Sequence, residues 1–174
     1  MLSTRRLVLR SYETGEAERL SQLFGDWDVS KWFWTPPYPY TKEKAANDIA
    51  VVRAAHLAGQ FNHFAITLKS SGELVGGIVV DIDPAPEWRN EVSYWIGKPF
   101  WNNGYATEAL NAIVGFAKEV QSRPNLWAVP DKTNGTTINV LEKCGFNHRE
   151  DILREQPSRT GAREMSRYQI DFIQ

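Results

Sequence analysis

The chain has 174 residues and a mass of 19.8 kDa, the size of one domain spanning 1–174, and its 42% apolar and 24% charged residues suit a globular protein. Twenty Lys and Arg nearly cancel twenty-one Asp and Glu, and the net charge of −1 argues against a general binder of nucleic acid. No apolar run is long enough to span a bilayer, the first residues lack a secretory signal, and Cys144 is the single cysteine, so a cytoplasmic protein without membrane contact or a disulfide framework is expected.

Leu7-Val8-Leu9-Arg10 predicts a first strand, apolar with a charged end. Ala17, Leu20, Leu23 and Phe24 recur at spacings of three and four and predict a helix. A loop over 27–40 follows, dense in aromatics and carrying Pro36, Pro37 and Pro39. Thr41 is the expected N-cap of a second helix bearing Ala45, Ile49, Val52, Ala55 and Leu57, with Gly59 at its end. Segments 61–68 and 74–82 flank the turn-rich Lys69-Ser70-Ser71-Gly72-Glu73 and read as a hairpin, and Asp83-Pro84-Ala85-Pro86 makes the next turn. A strand over 91–97 and a loop over 100–104 lead into a long helix whose buried face holds Ala106, Ala109, Leu110, Ile113, Val114, Ala117 and Val120. Segment 126–129 is a short strand stopped by Pro130. An amphipathic helix over 134–144 carries Ile138, Val140 and Leu141 and closes at Gly145. Two strands complete the chain from Phe146, the second with Met165, Tyr168, Ile170 and Phe172. This order, β-α-α-β-β-β-α-β-α-β-β, predicts an α/β or α+β architecture with a mixed, mostly antiparallel sheet flanked by helices.

Phosphate-loop, dinucleotide-binding, metalloprotease and serine-hydrolase strings are all missing, and His56, His63 and His148 show no ligand spacing, so no metal is expected. The segment with chemical content is the strand, the short loop, Gly104 and the helix after it. Such a junction aims free backbone N–H groups and the positive end of a helix dipole at one point, which favours an anion. An ordinary strand-to-helix turn reads the same way from this segment alone.

The wording of the segment goes further. Pro99-Phe100-Trp101-Asn102-Asn103-Gly104-Tyr105-Ala106-Thr107-Glu108-Ala109 resembles the acetyl-CoA motif of the GCN5-related N-acetyltransferases, most closely the Rim-type branch with its W-G-x-G-Y-A-T-E-A string. Asn134, Thr137 and Val140-Leu141-Glu142-Lys143-Cys144-Gly145-Phe146 resemble that branch's N-x-x-S-x-x-V-L-E-K-x-G-F. The opening Thr4-Arg5-Arg6-Leu7-Val8-Leu9-Arg10 is similar to its T-x-R-L-x-L-R start. The three matches stand in order and span nearly the whole chain.

The resemblance implies an acetyl-CoA-dependent N-acetyltransferase with direct, ternary-complex transfer to an amine. In relatives the strand before the loop splays from its neighbour and pairs with the pantetheine arm, here through Tyr94, Trp95 and Ile96. The pyrophosphate sits on the loop and first helical turn, here Trp101, Asn102, Asn103, Gly104, Tyr105, Ala106 and Thr107. Asn134 would hydrogen-bond the pantetheine, and Lys143 would approach the outer half of the cofactor. Homodimers are common among relatives. Two departures stand out: Asn102 replaces the usual Gly, and Leu141 stands where many relatives carry a tyrosine general acid.

A primary amine such as that of lysine, pKa about 10.4, must lose a proton before it attacks. Glu91 is the candidate base, against the alternative of a solvated strand-end carboxylate. Thr137 and Tyr105 are the candidate acids, although a thiol of pKa about 8.5 lets water suffice. Trp32, Phe33, Trp34, Tyr38 and Tyr40 supply rings for an acceptor pocket, with Trp32, Trp34 and Tyr38 expected to line it, while core packing or a dimer contact explains such rings equally well. Asp26 and Asp28 read either as an attraction for a cation or as exposed turn acids, and Cys144 as a packing residue. The acceptor is either a protein N-terminus or a small-molecule amine. The competing reading from another class is a non-catalytic acyl-CoA sensor that kept the cradle and lost the chemistry.

Overall fold

In this computed structural model, which describes residues 1–33, 38–60, 63–80, 90–119, 123–155 and 162–172, the strands follow the apolar pattern closely. A two-residue strand β1 (Leu2–Ser3) pairs antiparallel with β2 (Leu7–Arg10), in which Leu7 and Leu9 are fully buried while Val8 and Arg10 are half-buried. β3 (His63–Leu68), β4 (Leu74–Val80) and β5 (Val92–Ile96) extend the sheet in the order β1-β2-β3-β4-β5, antiparallel throughout. The second sheet, order β6-β8-β7, is built from β6 (Asn125–Ala128), β7 (Asn147–Glu155) and β8 (Ala162–Asp171). Positions 61–62, 81–89 and 120 lie outside the described residues, and with them the expected Asp83-Pro84-Ala85-Pro86 turn and Val120.

Helices cover both faces of the first sheet. α1 (Ala17–Phe24) buries Ala17, Leu20, Leu23 and Phe24, the periodic set read from sequence, against α3 (Lys42–Leu57) and the sheet. Thr41 caps α3 by accepting from the Lys44 N–H at 3.3 Å. Within the segment expected to be loop, one helical turn, α2 (Trp27–Ser30), forms because the Asp26 carboxylate accepts from the Asp28 N–H at 2.8 Å. A single turn is too short to show a periodicity. On the opposite face α4 (Tyr105–Glu119) and α5 (Gly135–Lys143) pack Leu110, Ile113 and Leu141 against Leu7, Leu9, Phe64 and Val75. The mixed architecture with a mostly antiparallel sheet is as expected.

Two features of the sheet position the site. Gly76 and Gly77 in β4 leave room for the next strand: a Cβ on Gly77 would overlap the Tyr12 hydroxyl and come within 2.7 Å of Trp95 Nε1. Among the described residues the two sheets are joined by one parallel bridge, Glu91 to Trp127, where the Trp127 N–H donates to the Asn90 carbonyl at 3.0 Å. Past it β5 stays with β4 and β6 stays with β8, so their facing edges separate.

Candidate active site

The separation of β5 from β6 opens a cleft of about 950 Å³ between the sheets. Ser93, Tyr94, Trp95 and Ile96 wall one side, Ala128 to Asp131 the other, and Asn134, Thr137, Val140 and Lys143 stand over it from α5. An unpaired strand edge inside a cleft offers backbone donors and acceptors to an extended, amide-bearing ligand. The Ile96 carbonyl is already engaged: it accepts from the Trp101 indole at 2.6 Å. An arm lying along β5 would therefore depend on the backbone groups of Tyr94, since Trp95 pairs with Gly77 in β4.

At the outer end the chain turns sharply into α4. Asn102 (φ 62°) and Gly104 (φ 75°) both adopt the left-handed region, which glycine enters freely and asparagine tolerates better than most residues. That explains how Asn102 stands where relatives carry glycine. The first helical bond runs from Glu108 N–H to the Gly104 carbonyl at 3.1 Å, leaving the N–H groups of Tyr105, Ala106 and Thr107 without a partner inside the helix. Those three residues, with Trp101, Asn102 and Gly104, line the cleft. Asn103 does not: its amide turns back to donate to the carbonyls of Phe100 (3.1 Å) and Trp101 (3.0 Å), bracing the turn instead. Asn134 lines the cleft but spends its side-chain oxygen capping α5, accepting from the Thr137 N–H at 3.2 Å.

Glu91 sits where the sheets meet. The solvated alternative does not hold, since the residue is 6% exposed. Burial pushes its carboxyl up to about 7, against the opposing pull of Arg154, whose guanidinium lies 3.7 Å away, and of Arg167. A carboxyl with that midpoint is poised to gain and lose a proton near neutrality. Thr137 lines the same cleft, and Tyr94 reaches across to donate its hydroxyl to the Thr137 carbonyl at 3.3 Å. Burial raises the Tyr94 phenol well above its ordinary value, so it keeps its proton. Leu141, in the place of the relatives' tyrosine, is fully buried core.

The opposite mouth of the cleft is lined by Asp28, Val29, Lys31, Trp32 and Phe33. Of the rings expected there, Trp32 is present and Trp34 lies outside the described residues. Tyr38 packs edge-on against Trp27, ring centroids 5.0 Å apart, and is not among the described residues that line the cleft. Tyr40 is core, its hydroxyl donating to Asp48 at 2.9 Å. Aromatic density alone does not say which way a ring faces. Asp26 caps α2, and Asp28 is held between Lys31 (2.8 Å) and Lys98 (2.7 Å), which lower its carboxyl to about 2.

A second, more open chamber of about 450 Å³ shares Lys31, Trp32 and Asp131 with the cleft and adds Trp27, Lys132, Thr133, Arg163 and Glu164. No local pattern marks these last four in sequence, because an isolated bridge from Asp131 to Met165 is what brings them together.

Residues 6–147 match the family model for the acetyltransferase (GNAT) domain. The chain belongs to the GNAT family. It is similar to an uncharacterised N-acetyltransferase, p20, of Bacillus licheniformis, 27% identical over 160 residues that cover 92% of this chain and 89% of that protein. In fold it is similar to a GNAT-family acetyltransferase from Bacillus anthracis, with a TM-score of 0.84, 22% identity and coverage of 98% and 97% of the two chains. It is also similar in fold to RimL, a ribosomal L7/L12 alpha-N-protein acetyltransferase solved with coenzyme A, with a TM-score of 0.76, 15% identity and coverage of 98% and 96%. This GNAT protein is accordingly an acetyl-CoA-dependent acetyltransferase. Its own residues fit that co-substrate: a bare left-handed turn opens α4 for phosphate, and an unpaired strand edge faces the cleft for amides.

Proposed function

We propose that this GNAT enzyme moves the acetyl group of acetyl-CoA directly to a primary amine, a protein N-terminus or a small-molecule amine, within one ternary complex. The observation that carries the reading is the buried carboxyl of Glu91, with its midpoint near 7, lining the cleft where the two sheets meet. Acetyl-CoA supplies an activated thioester; the protein supplies position and a proton acceptor. Glu91 takes the proton of the incoming ammonium, directly or through water; the freed amine attacks the thioester carbonyl, the C–S bond breaks, and the amine's second proton passes through the acid or water to the departing CoA thiolate. No covalent enzyme intermediate is invoked, and the buried Cys144, its thiol pushed up to about 11 by burial, is a poor nucleophile. Thr137 is the better-placed acid, since Tyr105 lies under the Arg6 guanidinium, 4.8 Å from ring centroid to Cζ. The remainder of the acceptor extends through the Trp32 mouth toward the second chamber.

An α-amine, pKa about 7.7–8.0, asks less of a base near 7 than an alkylamine of about 10.4 does. That relation supports an acceptor attacking through an α-amino group. Replacing Glu91 by Gln tests the reading: turnover is expected to fall about a hundredfold or more while CoA binding persists. Unchanged turnover would remove Glu91 as the base. CoA binding with no turnover of any amine, by the unaltered enzyme, would favour the sensor reading instead.

A further inference from the structure

Arg6 lies just before β2, within the opening motif of residues 4–10. In the structure it crosses to the start of α4. Its backbone N–H donates to Glu108 Oε1 and its side-chain Nε to Glu108 Oε2, both at 2.7 Å. The Thr4 hydroxyl gives the same carboxylate a third hydrogen bond, at 2.6 Å. The guanidinium lies over the Tyr105 ring at 4.8 Å, and a Cβ built on Gly104 would stand 3.5 Å from Nη2. The head group is thus held at Nε by Glu108, on its face by Tyr105 and beside the glycine turn. Its two Nη amino groups have no hydrogen-bond partner among the described residues, and the side chain is 39% exposed.

A guanidinium offers five N–H donors in a fixed fork that suits pairs of phosphate oxygens. Here one donor is spent on holding the group in place, and the outer fork remains. It stands over the Tyr105 ring and beside Gly104 at the start of α4, where the helix dipole favours negative charge. Because Glu108 and Tyr105 already restrict the rotamers, little side-chain entropy is left to lose when a ligand binds.

We propose that Arg6 is a phosphate-anchoring residue for the co-substrate, its Nη groups donating to phosphate oxygens of CoA at the entry to α4, with Glu108 as the residue that positions it. The inference rests on the acetyl-CoA reading of the cleft. CoA carries two phosphate sources, the diphosphate bridge and the 3′-phosphate, and the shared chemistry is a charge-assisted hydrogen bond to a phosphate oxygen.

The test is calorimetric titration of the unaltered protein, Arg6→Gln and Arg6→Lys with CoA, dephospho-CoA and pantetheine. Arg6→Gln is expected to weaken CoA binding by about tenfold or more, the worth of one charged hydrogen bond, and to leave pantetheine binding unchanged. Arg6→Lys should recover part of the loss, keeping the charge without the fork. If dephospho-CoA weakens as CoA does, the contact is to the diphosphate; if only CoA weakens, it is to the 3′-phosphate. Unchanged CoA affinity in Arg6→Gln would overturn the proposal. So would a loss shared equally by pantetheine, which would make Arg6 a purely structural brace for α4. Failure of the unaltered protein to bind either CoA or pantetheine would sink the acetyl-CoA reading itself.

Discussion

Glu91 is the residue in which fold and chemistry meet, because burial raises its carboxyl and Arg154 restrains the rise. With an acceptor amine whose own pKa lies well above 7, and which therefore arrives as its ammonium, kcat/KM should climb with pH through about 7 as Glu91 loses its proton and then level off. Replacing Arg154 by Gln removes the nearest cation, and the inflection in the pH–rate profile should move upward. A profile that stays in place would show that Arg154 does not set it. The same group predicts a dependence of stability on pH. Folded Glu91 holds its proton up to about 7, whereas the unfolded chain releases it near the ordinary 4.5. Its stabilising contribution is therefore complete below about pH 4.5 and lost as pH rises through 7. Glu91→Gln does not titrate, so chemical denaturation should show its stability gaining on that of the unaltered protein between about pH 5 and 8, by up to ~3 kcal/mol. A constant difference across that range would mean that the burial of Glu91 does not raise its carboxyl.

At the scale of elements, β4 and the turn into α4 carry the strictest demands. Gly77→Ala would drive a methyl group into the Tyr12 hydroxyl and the Trp95 indole, a case of overpacking that costs about 1–3 kcal/mol. It should appear as a lower denaturation midpoint with an unchanged slope. The turn makes a different prediction at Asn102, whose φ of 62° only glycine occupies without strain. Asn102→Gly should retain CoA binding, and Asn102→Val should lose both stability and affinity, since a β-branched residue resists that backbone. Equal CoA affinity in the two variants would show that the left-handed turn is not what shapes the cradle. The sequence made the motif legible here but not the division of labour within it: Asn103 braces the loop, while Trp101 lines the cleft and also occupies the Ile96 carbonyl.

For the whole molecule the consequential feature is that two sheets meet at the bridge from Glu91 to Trp127 and part around a cleft. A ligand that lies along both walls ties the sheets together. Acetyl-CoA or CoA at about 100 times its dissociation constant should stabilise the fold by ~2.7 kcal/mol, raising the melting temperature of a chain of this size by roughly 5–10 °C. ATP, which has phosphates but no pantetheine arm for β5, should give a much smaller shift. An equal shift with ATP would mean that the phosphate cradle acts alone and the cleft edge contributes nothing.

What the sequence determined by itself is everything that depends on spacing and local backbone chemistry. Apolar periodicity placed the principal helices and strands, Thr41 and Gly145 marked helix ends, and the order of three motifs marked the family and the loop proposed to receive the co-substrate. Tertiary structure decided what depends on residues far apart in the chain: that Glu91 is buried beside Arg154, that Tyr40 packs in the core while Trp32 faces the cleft, that Asp131 and Arg163 border a second chamber, and that Arg6 stands over Tyr105. The physical reason is one of range. Hydrogen bonding and steric preference within a few residues are written in the local sequence, whereas burial and charge environment are set by whichever distant elements the packed sheets bring alongside.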